Sequence, residues 1–268
     1  PVAAETEVLI AGGGPAGIGA ALGAARAGAK VMIVEQSNAL GGMATGGMMS
    51  HWSGGSTSPL LDEIMHRACE STSLPKNPNE GYSWCISHEC LKSTLLQMMD
   101  EAGVKVQLYT QIADVIMDGN RVAGIITESK SGREAIMAKV VIDATGDGDV
   151  AARAGAEYEL GREGDHLCQP VTLMFRIGGV DYSRAIFPGS FESYINVPKG
   201  EIQALGKSVL THPAGHVLLY RTRIPGEVCV NMTNVINIDA TDVRQLTEAE
   251  KVCRRQMDEM IPFLREYA

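Results

Sequence analysis

The sequence predicts an α/β fold: a first domain built on a parallel sheet with a three-stranded β-meander, then an α+β domain with a mainly antiparallel sheet. Three observations carry this. Gly12-x-Gly14-x-x-Gly17 stands between an apolar run, Glu7 to Ala11, and a helical run, Pro15 to Ala27. A second apolar run, Lys30 to Val34, ends in an acid, Glu35. A third, Val140 to Asp143, comes late in the chain and breaks into Ala144-Thr145-Gly146-Asp147.

The first two runs form a βαβ start. Glycines at these spacings permit a tight turn, close backbone approach to a diphosphate and close helix-sheet packing, and the helix N-terminus faces the phosphate charge. Pro15 and Ala16 open that helix, Gly28 ends it, and Glu35 with Gln36 stands where an acid accepts from ribose hydroxyls. The chain therefore opens with a dinucleotide site. Gly41-Gly42-Met43-Ala44-Thr45-Gly46-Gly47 is too glycine-rich for the interior of an element and suits a backbone lying against further phosphate and a flat ring.

Ser58-Pro59 reads as a cap and first helical position, with Leu61, Ile64, Met65 and Ala68 at helical spacing. Cys69 to Ser83 lacks periodicity and is expected to be a loop. Ser87 caps a second helix whose Leu91, Leu95, Met98, Met99 and Ala102 stripe stops at Gly103, the methionines being core filling. Val104 to Leu108 is a strand. Ile112 to Met117, Val122 to Thr127 and Ala135 to Val141 form the meander, turning at Asp118-Gly119-Asn120 and Ser131-Gly132.

Beyond the Asp147 turn, Val150 to Gly155 is a short helix. Thr172 to Ile177, Tyr194 to Val197, Val217 to Thr222 and Val228 to Thr233 then read as antiparallel strands. Thr247 and Glu250 make a capping box for a terminal helix with Ala249, Val252, Cys253, Met257, Met260, Ile261 and Leu264 on one side, kinked at Pro262. The domains divide as 1–160 and 161–268.

The order of glycine turn, acid, double-glycine loop and Ala-Thr-Gly-Asp strand end resembles the FAD-binding plan of glutathione-reductase-like flavoproteins. More narrowly it is similar to FAD-dependent oxidoreductases related to fumarate reductases and to the flavoprotein subunit of heterodisulfide reductase, with Gly41-Gly42-x-x-x-Gly46-Gly47 the nearest local match. The resemblance implies a Rossmann-like FAD-binding domain and a substrate domain. It implies that Gly12, Gly14 and Gly17 hold the diphosphate, Glu35 the adenosine ribose, and Ala144, Thr145, Gly146 and Asp147 the close of the site. The backbone around Ile112 and Ala113 is then expected at the adenine edge. In that family the chain returns to the FAD domain after the substrate domain; this sequence stops at Ala268, so that return is expected to be missing.

Departures prune the chemistry. Disulfide reductases of this plan carry a cysteine pair just after the double-glycine loop, and Met43 to Ser53 holds none. Amine oxidases place an arginine where Met43 stands. No second glycine fingerprint follows a strand, so no separate NAD(P) domain is identified. A flavin needs a proton donor or acceptor and groups that orient substrate. The candidates are His51 beyond Gly47, Arg221 and Arg223 on one strand face, and Gln169, whose Gln169-Pro170 pair is similar to a dipeptide at the entry to the family's substrate domain. Arg162 and Arg176 are weaker candidates for carboxylate binding, and His212 and His216 without a nearby acid are assigned no metal.

The balance of 23 Lys+Arg against 32 Asp+Glu, a formal charge of −9 with no basic run, argues against nucleic acid and anionic membranes. No apolar run approaches the ~20 residues of a membrane helix, and the start lacks the basic and apolar regions of a signal peptide, although a sequence beginning at Pro1 is compatible with a removed leader. Six scattered cysteines fit a reduced, cytoplasmic chain; the Cys85 and Cys90 pair falls short of an iron-sulfur ligand set. The expectation is an FAD-dependent oxidoreductase passing a hydride between a small-molecule substrate and flavin N5, with an unidentified electron acceptor or donor, and compatible with an oligomer. An electron-transfer subunit of a larger complex stays open. An NAD(P)-dependent dehydrogenase is opposed by the Gly41 to Gly47 loop and the late strand end.

Overall fold

The computed structural model describes residues 1–49, 58–68, 87–222 and 224–268. Described residues up to Tyr158 form one compact unit and those from Glu159 onward a second, a division two residues before the expected boundary. His51, Arg223 and the expected loop from Cys69 to Ser83 lie outside the described residues.

The first unit is organised by one six-stranded sheet in the order β3-β2-β1-β6-β5-β4. Strand β1 (Val2–Ala11) pairs parallel with β2 (Val31–Val34) on one side and with β6 (Gly132–Asp143) on the other, and β2 pairs parallel with β3 (Lys105–Gln107). Leu9, Ile10 and Ile33 are fully buried, as expected of parallel strands covered on both faces, which is why these runs read as continuous apolar stretches without alternation.

Strands β4 (Gln111–Asp118) and β5 (Arg121–Ser129) complete the meander, β5 pairing antiparallel with β6 and β4 antiparallel with β5. Here the structure departs from an insertion added to a sheet. The runs Ala135 to Val141 and Val140 to Asp143 are a single 12-residue strand, whose partners are β5 over its first half and β1 from Ala135 to its end. Meander and parallel sheet are therefore one sheet. Leu9, Ala11, Met32, Val34, Ile125, Ile136 and Ala138 close one buried face across that join, together with Val150.

Helix α1 (Pro15–Arg26) takes Pro15 at its start, where a missing N–H costs nothing, and buries Gly17, Ile18, Ala21 and Leu22. Helices α2 (Pro59–Ala68) and α3 (His88–Glu101) bury Ile64, Met65, Ala68 and Leu91, Leu95, Met98, Met99. Ser58 Oγ accepts from Leu61 N and Ser87 Oγ from Cys90 N, so both expected caps form. The short helix α4 (Asp149–Arg153) follows β6.

The second unit holds a three-stranded antiparallel sheet, β10 (Leu219–Arg221), β11 (Val228–Val230) and β7 (Phe175–Ile177), and a small hairpin of β8 (Asn196–Val197) and β9 (Gly200–Glu201). Phe175, Phe187, Ile202, Val217, Leu219, Val228, Met260 and Phe263 belong to its core. Helix α5 (Ile202–Val209) was not expected from the sequence; Glu201 caps it, its carboxylate accepting from Gln203 N and Ala204 N. The terminal helix α6 (Val243–Tyr267) begins earlier than the capping box indicates. Asp242 accepts from Arg244 N as the cap, and Thr247 lies inside the helix with its hydroxyl donated to Val243 O. The helix continues through Pro262 to Tyr267. Among the described residues no helix is long and apolar enough to cross a membrane.

Candidate functional site

A cleft of about 800 Å³ opens in the first unit where β1, β2 and β6 end. The three glycines of the first turn serve different purposes. Gly12 has φ +105°, and a Cβ there would lie 2.3 Å from Ala144 O; a Cβ on Gly17 would lie 1.9 Å from Gly12 O. Those two are required by packing within the protein. Gly14 is not. It caps α1 with φ −71° and ψ −176°, open to any residue, and a Cβ there would meet nothing of the protein within 4 Å.

Gly14, Pro15 and Ala16 line the cleft. No side chain caps the N-terminus of α1 and no acid sits in its first turn, so the positive end of a 12-residue helix is left without a cap at this open space.

Glu35, 8% exposed at the exit of β2, also lines the cleft. Its Oε2 accepts from Gly13 N at 2.7 Å and its Oε1 from Ser37 N at 2.7 Å. The carboxylate thus fastens the glycine turn to the end of β2, and each oxygen keeps a further lone pair for a hydroxyl. The second glycine loop is pinned to the first, because Gly41 N donates to Gly13 O at 2.8 Å. It is not without regular structure, as the sequence suggests, but contains a 3-10 turn, Gly42–Ala44. Gly42 and Met43 reach the cleft, as does Gln36. Gly17, Gly41, Ala44, Thr45, Gly46 and Gly47 are not among the residues lining it; Thr45 is buried with its hydroxyl donated to Leu40 O.

The third wall is the end of β6, with Ala144, Thr145, Gly146 and Asp147. Asp143 organises it. Its carboxylate accepts from Thr145 N, from Thr145 Oγ1 at 2.7 Å and from Ala151 N at 2.8 Å, while Thr145 Oγ1 accepts from Asp149 N at 2.9 Å. Burial pushes the Asp143 carboxyl up, but the hydrogen bonds from Thr145 and from the amides of Ala151, Thr145 and Val150 outweigh it and hold the group below the ordinary aspartate range. Ile112 lines the cleft, joined by Thr110 and Gln111; Ala113 does not, and its carbonyl accepts from Arg153 Nε at 3.2 Å. The sequence reading missed Val34, Thr110, Gln111, Asp143, Gly148, Asp149 and Arg153. Asp143 stood next to a recognised motif, whereas a single arginine at the end of a five-residue helix carries no signal.

A model of the family described as FAD dependent oxidoreductase matches residues 7–268. The chain belongs to that family. FAD is therefore its cofactor. Thiamine thiazole synthase from Aeropyrum pernix is 32% identical over 166 residues, covering 57% of this chain and 59% of that protein. Digeranylgeranylglycerophospholipid reductase 1 from Methanopyrus kandleri is 27% identical over 225 residues, covering 75% and 56%. The chain spans little more than half the length of these two relatives. Among solved structures, a geranylgeranyl bacteriochlorophyll reductase-like protein from Thermoplasma acidophilum matches with a TM-score of 0.56 at 19% identity, over 98% of this chain and 64% of that one. L-proline dehydrogenase from P. horikoshii matches at 0.52 and 14% identity, over 98% and 79%. These structural likenesses concern the fold.

The residues lining the cleft fit the adenosine and diphosphate half of FAD: an open cradle at Gly14, an uncapped helix end and a fixed carboxylate. Other candidates lie in the second unit. Gln169 is exposed. Arg221 ends β10 with its guanidinium over the Phe187 ring at 4.2 Å and the Tyr182 ring at 5.1 Å, a packing the strand pattern does not reveal. Arg162 is engaged by its own loop, forking onto Asp165, whose carboxyl its guanidinium pulls down to about 2. Arg176 pairs with Glu227 at 3.6 Å. His216 stacks edge-on against Phe191, and burial, seconded by Lys207 against Glu192, pushes its pKa down.

Proposed function

We propose that this chain holds the adenosine and diphosphate half of FAD in the cleft of its first unit and exchanges a hydride between a small organic substrate and the flavin. The observation that carries the reading is Gly14, whose missing side chain serves neither backbone conformation nor packing and leaves space at an uncapped helix start. FAD, when bound, supplies the two-electron chemistry. The backbone at the start of α1 donates to diphosphate oxygens, and Glu35 accepts from ribose hydroxyls on the lone pairs that Gly13 and Ser37 leave. Asp143 and Thr145 keep the Ala144 to Asp147 backbone in place as the opposite wall. On this reading His51 moves a proton, and Gln169, Arg221 and Arg223 orient the substrate.

The relatives named for thiazole synthesis and lipid reduction support a small organic substrate. Titration calorimetry with FAD and with NAD⁺ tests the cofactor assignment, FAD being expected to bind and NAD⁺ to bind far more weakly; the reverse order overturns it. Anaerobic bleaching of the bound flavin by a small organic compound supports hydride exchange. Bleaching only by a reduced protein would make the chain an electron relay instead.

A further inference from the structure

Four carboxylates line the cleft, those of Glu35, Asp143, Asp147 and Asp149, and one cation does, that of Arg153. The guanidinium of Arg153 is fixed on two edges. Its Nη1 donates to Asp149 Oδ1 at 2.8 Å and to Asp149 O at 3.1 Å, and its Nε donates to Ala113 O at 3.2 Å. Among the described residues Nη2 has no hydrogen-bond partner, and the side chain remains 34% exposed. Arg153 therefore presents a rigid planar face and two unused donors.

Its position selects one part of the dinucleotide. Ala113 follows Ile112 at the start of β4, and the same strand start is tied to the ribose acid, since Thr110 N donates to Glu35 O at 3.0 Å. Arg153 thus stands on the Glu35 and β4 side of the cleft. Resting on the reading of this cleft as an FAD site, we infer that Arg153 is a binding residue for the adenosine half, its guanidinium plane stacking on the adenine and its Nη2 donating to the nucleoside. Arginine suits this because its plane is delocalised and weakly hydrated, whereas a lysine ammonium is a compact hydrated point.

The test is ADP affinity by calorimetry on the chain and on Arg153→Ala and Arg153→Lys, with inorganic pyrophosphate measured as a competitor of ADP and thermal melting as the check on folding. Arg153→Ala should weaken ADP by about 10-fold and leave pyrophosphate within about twofold. Arg153→Lys should stay close to the alanine variant. Equal weakening of ADP and pyrophosphate would assign Arg153 to the phosphates or to general loosening, and an unchanged ADP affinity would remove it from the site; either overturns the inference, as does full rescue by lysine. A parent chain that binds no ADP would instead sink the reading of the cleft itself.

Discussion

At the scale of single residues, the fingerprint separates into two glycines that packing within the protein requires and one, Gly14, that it does not. Gly14→Val places a side chain where the protein has no atoms, so its cost to folding is that of a poorer helix cap, about 1 kcal/mol, or a melting shift within about 4 °C. FAD and ADP affinity should nevertheless fall by about 100-fold or more, because the branched side chain fills the diphosphate cradle. Gly17→Ala should do the opposite in kind. Its methyl would sit 1.9 Å from Gly12 O, so the first turn must shift and stability should fall by about 1–3 kcal/mol or more before any ligand is added. Melting curves with and without ADP distinguish the two; equal destabilisation by both would refute the division. The same glycines were legible from spacing alone, but not their separate duties, which depend on Ala144 arriving 132 positions downstream of Gly12.

At the scale of elements, short runs with apolar periodicity were legible and side-chain caps acting over distance were not. Helix α5 escaped because only Ile202, Gln203 and Gly206 are buried on it, and Gln203 is polar. Gln203, 2% exposed, donates from Nε2 to Val217 O at 2.8 Å and accepts at Oε1 from Val217 N at 2.9 Å, doing for that backbone what a neighbouring strand would do. Gln256 does the same for Asn234 from α6, a position an apolar stripe leaves blank. Gln203→Leu orphans two buried groups and should lower stability by about 2–4 kcal/mol in urea denaturation; a change under about 0.5 kcal/mol would show that water takes over the bonds. Asp143 offers a second check. Its folded pKa lies below the ordinary aspartate value of 3.8, so its stabilising effect is present above that value and is lost as pH falls through the lower folded one. A carboxyl-carbon titration should place its midpoint below 3.8, and Asp143→Asn should flatten that stretch of the acid-stability curve.

At the scale of the whole molecule, ligand effects should be localised. At a concentration about 100-fold above its dissociation constant, FAD contributes about 2.7 kcal/mol to the unit that binds it, a melting rise of about 5–10 °C. Hydrogen exchange with ADP should slow at residues 12–17, 35–37, 110–112 and 143–149 and leave the β7, β10 and β11 sheet unchanged; slowing confined to that sheet would move the site. One feature of the sheet reaches further. The strand that closes the cleft, β6, lies beside β1 although α1, β2, α2, α3, β3, β4 and β5 come between them in the chain, and the Lys139–Glu7 ion pair at 2.9 Å spans 132 residues. Loop closure over such a span is slow, and local contacts give it little help. During synthesis, the glycine turn and its acid therefore leave the ribosome long before their opposite wall exists. Cofactor capture becomes an event of late folding: FAD cannot template the early βαβ unit, and a chain arrested before Asp143 has emerged should carry no flavin.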